Sequence, residues 1–168
     1  MAPRLTGSPE FASLFSSLAP RLYRTALGLL GNPHDAADAL QEAGMRAFRY
    51  YHTLSDPAAG LTWMTRILVN ACHDQANRRS RAIPVGLDVL DPGDTAPEPE
   101  TDWELIAALR SLTEEQRTTV VLRFFQDMSV TQVSAVMQVP EGTVKSRLHA
   151  ALARLRHQLR QIREEEAR

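Results

Sequence analysis

The chain has 168 residues, 43% of them hydrophobic and 23% charged, with a formal net charge of −1. That suits one domain or two small ones around a buried core, with a charged fraction ordinary for a soluble protein. The single cysteine, Cys72, rules out an internal disulfide framework. There is no run of about 18 apolar residues, so no membrane insertion is expected. The first residues lack a basic start followed by an apolar run, so no leader is expected and the cytoplasm is the expected compartment. The charge is uneven: residues 1–81 carry nine bases and six acids, 82–102 six acids and no base, and 103–163 nine bases and five acids. Two mildly basic blocks permit phosphate binding at either end without requiring it.

Nearly all the periodicity is helical. Phe11, Leu14, Phe15, Leu18, Leu22, Ala26 and Leu29 recur at three and four residues and predict one amphipathic helix. Ser8 followed by Pro9 is its start signal and Gly31 its stop. Asn32 and Pro33 repeat the start signal for a second helix that buries Ala36, Leu40, Ala43, Ala47 and Tyr51. A third is predicted over 57–81, capped by Asp56. Residues 82–100 hold four prolines, two glycines and five acids, which disfavour a helix and favour an extended, hydrated linker. Leu87 and Leu90 are apolar points where it could dock. Three capping boxes follow: Thr101 with Glu104, Thr113 with Gln116 and Ser129 with Gln132. They predict helix starts at Asp102, Glu114 and Val130. A last helix is predicted from Pro140 or Glu141 to Arg163.

The segment 129–155 carries the most information. A short helix over 130–137 buries Val133, Val136 and Met137, and a tight turn follows at Gln138 and Val139. The next helix places Val144, Leu148, Ala151, Leu152, Leu155 and Leu159 on one stripe. Its opposite face, near its start, holds Gly142, Thr143, Ser146 and His149, flanked by Lys145 and Arg147. An apolar back with short polar and basic residues at the N-terminal front is the layout of a DNA recognition helix. Lys145 and Arg147 can reach phosphates or guanine edges. By periodicity alone, an ordinary helical hairpin with a solvated face fits as well.

The ordered string Ser129-Val130-Thr131-Gln132, then 139–148 reading Val-Pro-Glu-Gly-Thr-Val-Lys-Ser-Arg-Leu, is far more specific. With Leu112-Thr113-Glu114-Glu115-Gln116-Arg117 and Val121-Leu122-Arg123 before it, it closely resembles the C-terminal domain of bacterial sigma factors of the extracytoplasmic-function group. One departure lies in the turn, where that family usually has glycine and this chain has Gln138. A left-handed backbone there costs roughly 1 kcal/mol without glycine.

A second match lies upstream. Leu22-Tyr23-Arg24, the stretch 35–42 from Asp35 to Glu42, and Arg46-Ala47-Phe48-Arg49 resemble the sigma domain that grips the polymerase clamp. Trp63-Met64, Arg66-Ile67, Asn70, Asp74 and Arg78-Arg79 resemble its promoter-melting helix. The resemblance implies core polymerase binding through Asp38, Gln41, Glu42, Met45 and Arg49. It implies minus-10 recognition and melting through Ser55, Asp56, Trp63, Arg66, Asn70, Asp74, Arg78 and Arg79. It implies minus-35 recognition through Gly142, Thr143, Lys145, Ser146, Arg147 and His149. The implied partners are core RNA polymerase, promoter DNA and an anti-sigma protein, with no cofactor, metal or catalytic residue.

The residues support parts of this independently. An exposed methionine among charges, as at Met45, suits a docking surface, although isolated surface methionines are normal. Arg66, Asn70, His73, Asp74, Asn77 and Arg81 form a polar stripe under Trp63, which can stack on a separated strand or belong to the core. Asp56 can cap the third helix or accept from a base. Enzyme readings fare poorly: His149 and His157 lie about 12 Å apart along a helix, too far to share a metal, and no glycine-rich phosphate loop or nucleophile elbow is present. The expected fold is all-α, with a sigma region 2-like domain over 1–81, a flexible acidic linker over 82–100 and a region 4-like helix-turn-helix domain over 101–168. The alternative is a stand-alone helix-turn-helix regulator with an N-terminal sensing or dimerisation domain.

Overall fold

The computed structural model describes residues 8–82 and 102–166. The linker expected over 82–100, with Leu87 and Leu90, lies beyond Ala82 outside the described residues, as does Thr101.

Helix α1 (Pro9–Leu30) begins where Ser8 Oγ accepts from the Phe11 amide at 3.4 Å, with proline at its first position. It ends at Gly31, whose φ of 70° only glycine adopts readily and whose amide bonds the Leu27 carbonyl at 2.8 Å. Pro20 sits inside α1 on an exposed position and removes one ladder hydrogen bond without ending the helix. Helix α2 (Pro33–Tyr50) is capped by Asn32, which accepts from the Asp35 amide at 3.0 Å. Two single 3-10 turns follow, over Tyr51–Thr53 and Pro57–Ala59, and then α3 (Gly60–Ala82). The third helix therefore starts three residues later than the sequence predicts. Asp56 Oδ1 accepts from the Ala58 amide at 2.9 Å. This two-residue reach tightens the chain into a 3-10 turn before the α ladder begins.

Beyond Pro33 at its start, the buried face of α2 is alanine: Ala36, Ala39, Ala43 and Ala47 are fully buried. Small side chains let α1 and α3 approach closely, and Leu22, Met64 and Leu68 supply the bulk. Fully burying each of these three is worth about 1.5–3 kcal/mol.

The second bundle comprises α4 (Trp103–Arg110), α5 (Glu114–Phe124), α6 (Val130–Met137) and α7 (Glu141–Glu166). The cap of α4 is Asp102, accepting from the Leu105 amide at 3.0 Å, one residue after the expected cap Thr101, which lies outside the described residues. A carboxylate is a strong acceptor and is favoured by the positive helix end, so the start moves by one residue. The other two boxes form as expected. Thr113 and Gln116 exchange hydrogen bonds at the start of α5, and Ser129 and Gln132 do so at the start of α6. Val121, Leu122, Met128, Val133, Val144 and Ala151 close the core. The two bundles touch: α1 packs on α4 and α5, and α3 on α6. Among the described residues there is no strand, and no helix is long and apolar enough to cross a membrane.

Candidate nucleic-acid interface

Helices α6 and α7 form the helix-turn-helix. Their turn is set by Gln138, at φ 56° and ψ 43°, a left-handed conformation adopted without glycine. Its neighbours hold it there. Ser134 Oγ donates to the Val139 carbonyl at 2.6 Å, and Thr131 Oγ1 donates to Glu141 Oε1 at 2.6 Å. These bonds tie the first helix to the turn and to the first residue of the second. On α7, Val144, Ala151 and Leu155 are buried, and Leu148, Leu152 and Leu159 half-buried. Gly142, Lys145, Ser146 and His149 are exposed, while Thr143 and Arg147 are half-buried beside them. Among the described residues nothing beyond the adjoining turn of its own helix lies within 4 Å of where a side chain on Gly142 would begin, so the N-terminal front of α7 is open to a groove. The Ser146 hydroxyl donates to the Thr143 carbonyl at 3.0 Å, which orients it at rest.

The second set of residues lies around α3. Arg66, Asn70, Asp74 and Asn77 are exposed along one side, and Arg78 and Arg81 are exposed towards its end. Trp63 is half-buried, with its ring tilted against Tyr51 at 6.5 Å between centroids. Tyr51 in turn meets Phe11 edge-on at 5.3 Å, so Trp63 is anchored in the core on one side while keeping some exposure. His73 leaves the expected stripe and turns towards the second bundle. Two other residues are tied down within the first bundle. Asp74 pairs with Arg46 at 2.8 Å, and Arg79 pairs with Asp35. Arg46 also pairs with Glu42 at 2.8 Å, and these two carboxylates hold its guanidinium above its ordinary pKa, the Glu42 hydrogen bond contributing most. The Asp74–Arg46 and Arg79–Asp35 pairs link α2 to α3, and their sequence separation left no local signal. Ser55 and Asp56 are exposed in the loop between α2 and α3, with Asp56 already serving as a cap.

The third set lies on the outer side of α2. Asp38, Gln41, Met45 and Arg49 are exposed, and Glu42 is half-buried against Arg46. Met45 is 46% exposed, a large apolar side chain kept in water. Tyr50, 57% exposed at the end of α2 where the loop begins, was not singled out from the sequence. Its neighbour Tyr51 fits the apolar stripe, and only packing decides which of the two points inward.

The chain matches two family models, described as Sigma-70 region 2 over residues 14–82 and Sigma-70, region 4 over residues 108–157. It is 34% identical over 152 residues to the RNA polymerase sigma-E factor of Streptomyces coelicolor, covering 89% of this chain and 86% of that one. It is 38% identical over 147 residues to the ECF RNA polymerase sigma factor SigM of Mycobacterium tuberculosis, covering 86% and 74%. Among solved structures it resembles the sigma factor RpoE of Bartonella quintana, determined in complex with the anti-sigma factor NepR. That match has a TM-score of 0.73 and 22% identity, over 91% of this chain and 98% of that one.

Proposed function

The chain belongs to the sigma-70 family, in its extracytoplasmic-function group, and we propose that it works in the cytoplasm with its two bundles dividing promoter recognition between them. It is a sigma factor: it binds core RNA polymerase and directs promoter recognition, DNA melting and transcription initiation. In this reading the open front of α7 carries the minus-35 contacts, through Lys145 and Arg147 to phosphates or guanines and through Ser146 and His149 to base edges. Ser55, Asp56, Trp63, Arg66, Asn70 and Arg78 carry minus-10 recognition and strand capture. The outer side of α2 around Met45 docks on the polymerase. The domains run 1–81 and 101–168. An anti-sigma protein is the proposed inhibitory partner.

The observation that supports this division best is the open N-terminal front of α7 over an apolar back, with Val144 and Ala151 fully buried inside and Lys145, Ser146 and His149 exposed outside. The stand-alone regulator is set aside, because the half it would assign to sensing matches sigma region 2. The test is in vitro transcription with core RNA polymerase on templates carrying both elements, with and without this chain. Initiation that depends on the chain and is lost when either element is scrambled supports the reading. A tight footprint by the chain alone, with no stimulation of core polymerase, overturns it.

A further inference from the structure

Helix α7 runs on past the part of it that the second bundle buries. Among the described side chains Leu155 is its last buried one, yet the helix continues to Glu166. On the side away from the core, Lys145, His149, Ala153, Arg156, Arg160 and Arg163 recur at four, four, three, four and three residues. That spacing keeps them on one side of a helix. All six are exposed. The first two belong to the recognition front, and the last three carry it on as a row of arginines.

Ordinary surface chemistry accounts for only part of this row. Cations offset the helix dipole within the last turn, which covers Arg163 but neither Arg156 nor Arg160. Arg160 stands four residues before Glu164, but a base ahead of its acid is the weaker order for such a pair, and no ion pair forms. Among the described residues none of the three arginines has a carboxylate partner. Three free guanidiniums in line suit a partner that carries negative charges at regular intervals. Arg154 is exposed as well, but it lies off the row.

The spacing along the helix says where that partner would lie. At about 1.5 Å per residue, Arg156 is about 10 Å beyond His149 and Arg163 about 21 Å beyond it. The major groove of duplex DNA is about 12 Å wide. A helix with its N-terminal front in the groove therefore brings Arg156 to the groove's edge. It carries Arg160 and Arg163 past that edge, where the phosphates run. Ala153, between the two halves of the row, is too short to hold the helix off the backbone.

We propose that Arg156, Arg160 and Arg163 grip the phosphates of the duplex that flanks the minus-35 element on the side away from the minus-10 element. This rests on the sigma-factor reading, which seats the front of α7 in the minus-35 groove. In that reading the first bundle takes the minus-10 side, so the upstream flank is the one left uncovered by this chain. The grip carries no sequence preference, because phosphates are the same at every base pair. It ends at Arg163, since Glu164 and Glu165 follow and are repelled by phosphate.

The experiment uses holoenzyme assembled from core RNA polymerase and the full chain. Two promoter templates are compared. One stops at the upstream edge of the minus-35 element, and the other carries about ten more base pairs, one helical turn of about 34 Å. The variants are Arg160→Gln, the triple change Arg156→Gln with Arg160→Gln and Arg163→Gln, and Arg154→Gln as the control off the row. Comparing variants cancels whatever the polymerase itself contributes upstream. Circular dichroism should show unchanged helix in all of them, because every position is exposed. On the longer template the triple variant should bind more weakly and lower the salt slope of log K by about two to three units. The advantage of the parent over it should then shrink about 40-fold between 50 and 200 mM salt, as three lost phosphate contacts require. On the shorter template the two should converge, and Arg154→Gln should match the parent on both. Equal binding by parent and triple variant on the longer template would overturn the proposal. So would an equal loss on both templates, which would put the partner of the row on the polymerase. A loss from Arg154→Gln as large as that from Arg160→Gln would reduce the row to net charge and overturn it too. Minus-35-dependent initiation by the parent keeps the sigma-factor reading standing in each of these cases, whereas no initiation by the parent counts against that reading itself.

Discussion

Thr131 and Glu141 face each other across the turn of the helix-turn-helix, with the threonine hydroxyl donating to the glutamate carboxylate at 2.6 Å. Both side chains are exposed, so the bond is modest in stability but fixes the angle at which α7 leaves α6. Thr131→Val keeps the shape and removes the donor. It should cost about 0.5–1.5 kcal/mol or less in unfolding free energy, yet reduce minus-35-dependent transcription several-fold, because a freed carboxylate beside DNA phosphates is repelled. Denaturant unfolding and promoter titration, done in parallel, separate the two effects. Equal losses in both would mean that the pair is only structural.

Gln138 carries a left-handed backbone that most residues resist. Gln138→Gly should stabilise the second bundle by about 1 kcal/mol, and Gln138→Val should destabilise it by more, since a branched Cβ worsens the same clash. Urea midpoints of the full chain would check this. No gain for glycine would show that the Gln138 side chain contributes a compensating contact.

Lys145 and His149 are exposed on the front of α7. Lys145→Ala should weaken holoenzyme binding to all promoters alike and lower the salt dependence of log K by about one unit. Changes at His149 and Ser146 should alter which minus-35 bases are preferred, by roughly 1–3 kcal/mol per lost base contact. Binding to a randomised minus-35 library would read out both. Unchanged preference across that library would remove these two residues from the recognition face.

Asp56 caps a 3-10 turn through Oδ1, and a cap and a base contact can coexist. Asp56→Asn should preserve the melting temperature, because asparagine caps as well as aspartate. If the carboxylate also accepts from a base, the same change should shift the preferred minus-10 base. Asp56→Ala should lower stability by about 1 kcal/mol in either case. No shift in base preference for changes at both Ser55 and Asp56 would take this loop out of minus-10 recognition.

Met45→Asp places a charge in the middle of the outer side of α2, where Met45 is already exposed. The melting temperature should change little, within about 0.5 kcal/mol in stability. Affinity for core polymerase should fall by about tenfold or more if this patch is desolvated on docking. Unchanged polymerase affinity would move the docking site elsewhere on the first bundle.

What the sequence alone determined is what lies within a few residues of itself. Ser8 with Pro9, Asn32 with Pro33, Thr113 with Gln116 and Ser129 with Gln132 mark helix starts because a cap and its amide are two or three residues apart. The front and back of α7 could be read off a 100° rotation per residue, since a helix's inner and outer sides follow from its own spacing. The cap of α4 was missed by one residue because Asp102 and Thr101 are both good caps, and only the main-chain path chooses between them. The tertiary structure decided everything that joins distant residues. Asp35 holds Arg79 across 44 positions, so one arginine assigned to DNA is engaged within its own bundle. Arg21 reaches Gln126 across 105 positions. Gly28 looks like a weak point in an amphipathic helix until Phe125 is seen against it. Such pairs leave no periodic trace, because the chain between them can take any path that the packing of the two bundles permits.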